Sequence, residues 1–110
     1  MAEIVYDGEQ RILIIFPTED ESPKVEKYLA TWREQYRAPM EYRTLKPKGA
    51  GPVKVLRIAV EQGTRPYQGI LDEIGETFGR PTRIAAATVP PVVWTAIQKL
   101  PPIPQAYHHA

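Results

Sequence analysis

The chain has no cysteine and no asparagine, one serine (Ser22), and only two histidines, adjacent at positions 108 and 109. Without cysteine there are no disulfides, thiolate metal sites or thiol nucleophiles, so stability rests on packing and redox control by the protein itself is not expected. The lone serine stands where a helix should begin, and no histidine precedes His108, so Ser/His and Cys/His nucleophilic sites are not expected either. His108 and His109 would need ligands from elsewhere to hold a metal, and adjacent histidines at a chain end are more often tail. Neither a metal site nor a cofactor is expected.

Long hydrophobic runs are missing too. The longest purely aliphatic and aromatic run is Ile12 to Phe16, far short of the roughly 20 residues that cross a bilayer. The opening Met-Ala-Glu lacks the charged stretch and small-residue cleavage site of a signal peptide, from which a cytoplasmic location is expected.

What is present has the balance of an ordinary globular domain, 43% hydrophobic and 25% charged over 110 residues. A domain of this size buries roughly two thirds of the surface its unfolded chain exposes, enough for one core. The sequence divides into a single domain over 1–100 and a proline-rich tail over 101–110. Net charge is +1, but it is unevenly spread: residues 1–23 hold one base and six acids, residues 24–57 nine bases and three acids, and the rest four of each. The middle segment is thus a basic block, a candidate footprint for a polyanion.

Asp7-Gly8 lies between Glu3–Tyr6 and Arg11–Phe16, a hairpin signal in which glycine would supply the positive φ of a type I′ turn. The second strand is apolar at both alternating sets, Ile12/Ile14/Phe16 and Leu13/Ile15, which predicts a central strand covered on both sides. Ser22-Pro23 offers an N-cap and a first-turn proline for a helix with the stripe Val25, Leu29, Trp32 and Tyr36, ending before Pro39. Glu41–Leu45 and Val53–Glu61 read as strands joined by a projecting loop, the second with Leu56, Ile58 and Val60 buried and a mixed face of Val55, Arg57, Ala59 and Glu61. Thr64 and Pro66 open a second helix with the stripe Tyr67, Ile70 or Leu71, Ile74 and Phe78, closed by Gly79. Arg83–Val89 reads as a short strand whose alanines suggest a closely approaching helix. Pro90-Pro91 start a last helix through Leu100 with Val93, Trp94 and Ile97 on its apolar side.

Apart from the opening strand, this order is that of an α+β, ferredoxin-like βαββαβ core with an extra C-terminal helix. The alternative is a small three-layer α/β sandwich, favoured by the two-sided strand. In the ferredoxin-like arrangement the far sheet face must be covered by the last helix or by a second subunit, from which a homodimer is a natural expectation.

The most suggestive local element is the loop from Lys46 to Lys54, where Lys46, Lys48 and Lys54 bring charge to flexible backbone at Gly49 and Gly51. It is not a P-loop, since GxxxxGK[ST] is absent and the glycines separate two strands. Arg33, Arg37, Arg43 and Arg57 extend the patch if they share its face. The strand Lys54–Val60 carries no aromatic, so the base-stacking platform of RNA recognition motifs is missing and any nucleic-acid contact would be to phosphate. Two acidic groups are weaker candidates. Glu19, Asp20 and Glu21 could hold Mg²⁺ in a phosphodiesterase but also suit a helix's first turn, and Asp72, Glu73 and Glu76 suit the solvated face of the second helix. Leu100-Pro101-Pro102-Ile103-Pro104 has a PxxP spacing that fits aromatic grooves, yet reads first as a strap over the surface anchored by Tyr107. The resulting expectation is a non-enzymatic binding or regulatory module for a nucleic acid, nucleotide or other phosphate-bearing ligand. The alternatives are a structural or adaptor subunit with a protein partner, and the metal-dependent phosphodiesterase.

Overall fold

Glu3–Asp7 (β1) and Ile12–Phe16 (β2) pair antiparallel, with Glu3 opposite Phe16 and Asp7 opposite Ile12, in a computed structural model that describes residues 2–60, 65–79 and 81–104. The hairpin is the expected one, but its turn is built differently. Residues 8 to 11 connect the strands, and Arg11 rather than Gly8 takes the left-handed conformation, φ 56°. The Asp7 carboxylate accepts from the Glu9 amide at 3.0 Å and the Gln10 amide at 3.4 Å. An aspartate that bonds the backbone ahead of it closes the turn without a glycine at positive φ.

Ser22–Tyr36 forms α1 with Pro23 in its first turn. Its start differs from expectation, because Ser22 is not the cap. Glu21 N–H donates to Thr18 Oγ1 at 3.3 Å and Thr18 N–H to Glu21 Oε1 at 2.9 Å, the reciprocal pairing of a capping box. At the other end Arg37 is left-handed, φ 51°, and its amide donates to the Arg33 carbonyl at 2.9 Å. The remaining elements are β3 (Met40–Leu45), β4 (Val53–Ala59), α2 (Arg65–Thr77), β5 (Thr82–Arg83) and α3 (Pro91–Gln98). Gly79, φ 73°, stands just past α2 as expected of a left-handed helix terminus. The strand expected over Arg83–Val89 shrinks to β5. Beyond Ile84 the alanine-rich chain, poor in β-forming side chains, makes a 3₁₀ turn at Ala86–Thr88. Glu61, Thr64, the side chains of Pro66, Tyr67 and Leu71, Tyr107 and the two histidines lie outside the described residues.

Among the described residues the result is a mixed α+β structure with three helices and a five-stranded sheet in the order β3-β4-β2-β1-β5, antiparallel except for the β1–β5 pair. A ferredoxin-like core would place β5 directly beside β2. Here the opening hairpin has already paired that edge of β2 with β1, so β5 joins the far side of β1 and the ferredoxin-like order is not met.

Strand alternation divides the sheet into two buried faces. Ile4, Leu13, Ile15, Met40, Leu56 and Ile58 meet Val25 and Trp32 of α1 and Ile70, Ile74 and Phe78 at α2. Val5, Ile12, Ile14 and Val55 meet Val89, Val93 and Ile97, with Leu100 and Ile103 packed alongside. The helices therefore lie on both sides of the sheet, which removes the need for a second subunit over the far face. They also bury the face of β4 expected to be mixed, including Arg57, which is 1% exposed.

Arg57 lies directly opposite Glu41 in the β3–β4 register. Its Nη2 donates to Glu41 Oε1 at 2.6 Å and to the Pro101 carbonyl at 2.9 Å. One guanidinium thus ties the sheet to the first residues of the tail. Removing one partner of a buried pair strands the other charge, whereas replacing the whole pair by apolar chains of similar volume is often close to neutral. Glu41→Ala should therefore lower unfolding free energy by about 3 kcal/mol, the low end for such pairs because Glu41 keeps some solvent contact. The Glu41→Leu, Arg57→Met double variant, which removes both charges, should cost much less; urea denaturation of both variants checks the order.

Candidate functional site

The nine positions singled out in the sequence do not share one surface. Lys54 points to the α1 side of the sheet, where its Nζ donates to Ser22 Oγ at 3.0 Å. Arg43 and Arg57 alternate to the α3 side. There Arg43 Nη2 donates to Glu41 Oε2 at 3.1 Å, so a single carboxylate serves both guanidinium groups. Arg33, in the last turn of α1, donates through Nε to the Met40 carbonyl at 3.2 Å, and Arg37 is exposed at the helix end. Only Lys46, Lys48, Gly49 and Gly51 stay together, in the β3–β4 loop. The charge segregation along the sequence is dispersed in space because adjacent strand residues face opposite ways.

That loop does not project freely. Pro47 is buried, the Ala50 amide donates to the Pro47 carbonyl at 3.3 Å, and Gly49 takes φ 77°, a value that side chains other than glycine's rarely adopt. The turn leans toward α3, and between them lies a cleft of about 450 Å³ lined by Pro47, Lys48, Pro91, Val92, Thr95, Ala96 and Lys99. The helix residues are spaced 91, 92, 95, 96 and 99, the stripe of α3 opposite its buried Val93 and Ile97. Two lysines therefore border an apolar floor of proline, valine and alanine with one hydroxyl at Thr95. No acid lines it. Among the described residues, Lys46, Lys48 and Lys99 make no ion pair. No local pattern in the sequence marks Lys99 and Thr95, because α3 meets the loop only through the fold.

Two other clefts are less suited to an anion. The groove of about 500 Å³ between α1 and α2 contains Lys24 and Lys27 but also Glu76. Lys24 Nζ donates to the Thr77 carbonyl at 3.3 Å, and Lys27 Nζ sits 5.2 Å from the Tyr28 ring centroid. The cleft of about 330 Å³ near Phe16, Val53, Ile84 and Val93 is apolar and carries Glu3.

No protein-family model, curated protein or solved structure matches this chain. The functional reading therefore rests on the residues themselves.

One member of each acidic group has a structural role. Glu21 folds back on Thr18, and Glu73 accepts from the Tyr36 hydroxyl and from Gln35 Nε2 at 3.3 Å, joining α2 to α1. No three acids or histidines among the described residues converge on a metal-sized site. The tail is engaged at Pro101 by Arg57 and at Ile103 by the second core cluster, so the PxxP segment is held as a strap.

Ser22 is the residue whose environment differs most from the sequence reading. Its hydroxyl is buried, hydrogen-bonded to the Tyr42 hydroxyl and accepting from Lys54. A serine beside a lysine can be a nucleophile, but Ser22 is 2% exposed and lines none of the three clefts above. Its hydroxyl joins α1 to β3 and β4. Ser22→Ala would take a hydrogen-bond partner from the half-buried Tyr42 hydroxyl and from the exposed Lys54, and should cost about 1 kcal/mol in chemical denaturation. Thr18→Ala, which removes the hydroxyl that accepts from the Glu21 amide in the turn leading into α1, should cost about 1 kcal/mol.

Proposed function

We propose that the protein is a non-enzymatic binding module that takes a phosphate-bearing ligand, a nucleotide or the backbone of a nucleic acid, in the cleft between the β3–β4 loop and α3. The observation that supports this reading most directly is the pair Lys48 and Lys99. They border a single cleft lined by no acid, while Arg33, Arg43, Arg57 and Lys54 are committed to partners within the fold. Binding in such a cleft draws on charge for phosphate and on apolar contact for the rest of the ligand. Thr95 adds one hydroxyl donor. Of the loop positions from the sequence reading Lys48 lines this cleft, with Lys46, Gly49 and Gly51 beside it in the same loop, and α3 residues take the place of the arginines.

Contacts to phosphate release counterions, so affinity should fall steeply with salt and vary little with base sequence. Fluorescence anisotropy with labelled single-stranded and duplex oligonucleotides, at low and moderate salt, is the direct measurement. The Lys48→Ala, Lys99→Ala double variant should bind more weakly and reduce the salt slope by about two, roughly one for each phosphate left without its lysine. Arg43→Gln should leave the slope as it is. Absence of binding at low salt, to oligonucleotides and mononucleotides alike, would remove the proposal.

A further inference from the structure

The two ends of the sheet are unlike. At one end β5 has two residues, immediately preceded by Pro81, too short to template another strand. At the other, β3 runs for six residues, Met40–Leu45, paired one-to-one with β4 without a bulge or proline. Natural edges are usually shortened, bulged or interrupted. Among the described residues the outer side of β3 pairs with no strand.

Two hydrogen bonds show which backbone groups face outward. The Pro39 carbonyl accepts from the Ala59 amide at 2.9 Å, so this position faces β4, whereas the Met40 carbonyl is turned away and accepts from Arg33 Nε at 3.2 Å. The alternation of an antiparallel ladder then turns the N–H and C=O of Tyr42 and Thr44 outward.

The side chains of this edge are complementary to themselves. If two copies of β3 lie antiparallel about a two-fold axis at Tyr42, each Glu41 stands opposite the other copy's Arg43, and Met40 stands opposite Thr44. Tyr42, whose backbone groups both face outward, meets its own symmetry mate as a hydrogen-bonded pair. Arg43 has a donor left for this contact: its side chain is 38% exposed and only Nη2 is hydrogen-bonded, to Glu41 Oε2, which leaves Nη1. A shift of one residue would oppose Glu41 to Thr44 and remove both ion pairs. The sequence thus specifies a register as well as an edge.

We propose that the protein forms a homodimer by antiparallel pairing of β3 with β3 of a second copy about Tyr42, joining two five-stranded sheets into one. Arg33 limits the new ladder to its centre, because its guanidinium holds the Met40 carbonyl. The pairing uses neither the lysine cleft nor the far sheet face, so it stands or falls separately from the ligand reading.

Sedimentation velocity of the full chain over a concentration series, without oligonucleotide, should show a species of twice the 12.5 kDa chain mass that grows with concentration. Thr44→Pro removes an outward N–H without taking a bond from the β3–β4 ladder, and should give a monomer with unchanged far-ultraviolet circular dichroism. Hydrogen exchange on the unaltered chain provides a second readout if that variant fails to fold: the Tyr42 and Thr44 amides should gain protection on going from dilute to concentrated protein. A monomer at every concentration overturns the proposal. So does a dimer whose Tyr42 and Thr44 amides exchange as fast as in dilute solution.

Discussion

A positive charge that water cannot reach must be met inside the protein, and Arg57 imposes that condition on three parts of the chain. Its side chain leaves β4 on the α3 side of the sheet, among Val55, Ile14 and other apolar neighbours, where an unpaired guanidinium would be costly. Glu41 meets it from the adjacent strand and the Pro101 carbonyl from the far end of the chain. The cross-strand pair favours the observed β3–β4 register, since a slip of one residue would carry Glu41 to the opposite face. The bond to Pro101 fixes where the chain leaves α3, and so helps to place that helix over the sheet.

A second polar network holds the same, C-terminal end of α3. Asp7, buried at the turn of the first hairpin, accepts from Gln98 Nε2 at 3.0 Å, and Gln98 Oε1 accepts from Gln10 Nε2 at 2.9 Å. The aspartate that closes the turn therefore also positions the helix terminus. With Arg57 holding the tail and Asp7 the helix end, α3 keeps its outer stripe turned toward the β3–β4 loop.

How much of this is legible in the sequence depends on the range of the interaction. Helix stripes, the first hairpin and the glycine after α2 are local in cause, and Val25, Trp32, Ile74 and Phe78 pack as their spacing requires. The two-sided apolar character of Ile12–Phe16 points to a covered sheet, and both faces are covered. Strand order is not legible, because nothing in β1 announces which edge of β2 it will take from β5. Ser22 departs from its expected role for a related reason: Thr18 and Glu21 can satisfy the helix start by themselves, and only the arrival of Tyr42 and Lys54 from distant strands gives the serine another task.

The candidate site carries the same lesson about charge. Along a helix, neighbours three or four apart share a face, so a basic block can remain a basic surface. Along a strand each step reverses the side, and Lys54 and Arg57 are separated by the whole thickness of the sheet although two residues lie between them. Burial then makes a further division, since a guanidinium inside the protein requires a carboxylate and ceases to be available to a ligand, as Arg57 does at Glu41. Among the described residues, cations left without an ion pair include the loop lysines, Arg37 at the end of α1 and Lys99 on the outer stripe of α3. A charge count along this sequence is therefore bound to overstate the patch and to omit Lys99, whose partner in the cleft is brought to it only by the fold.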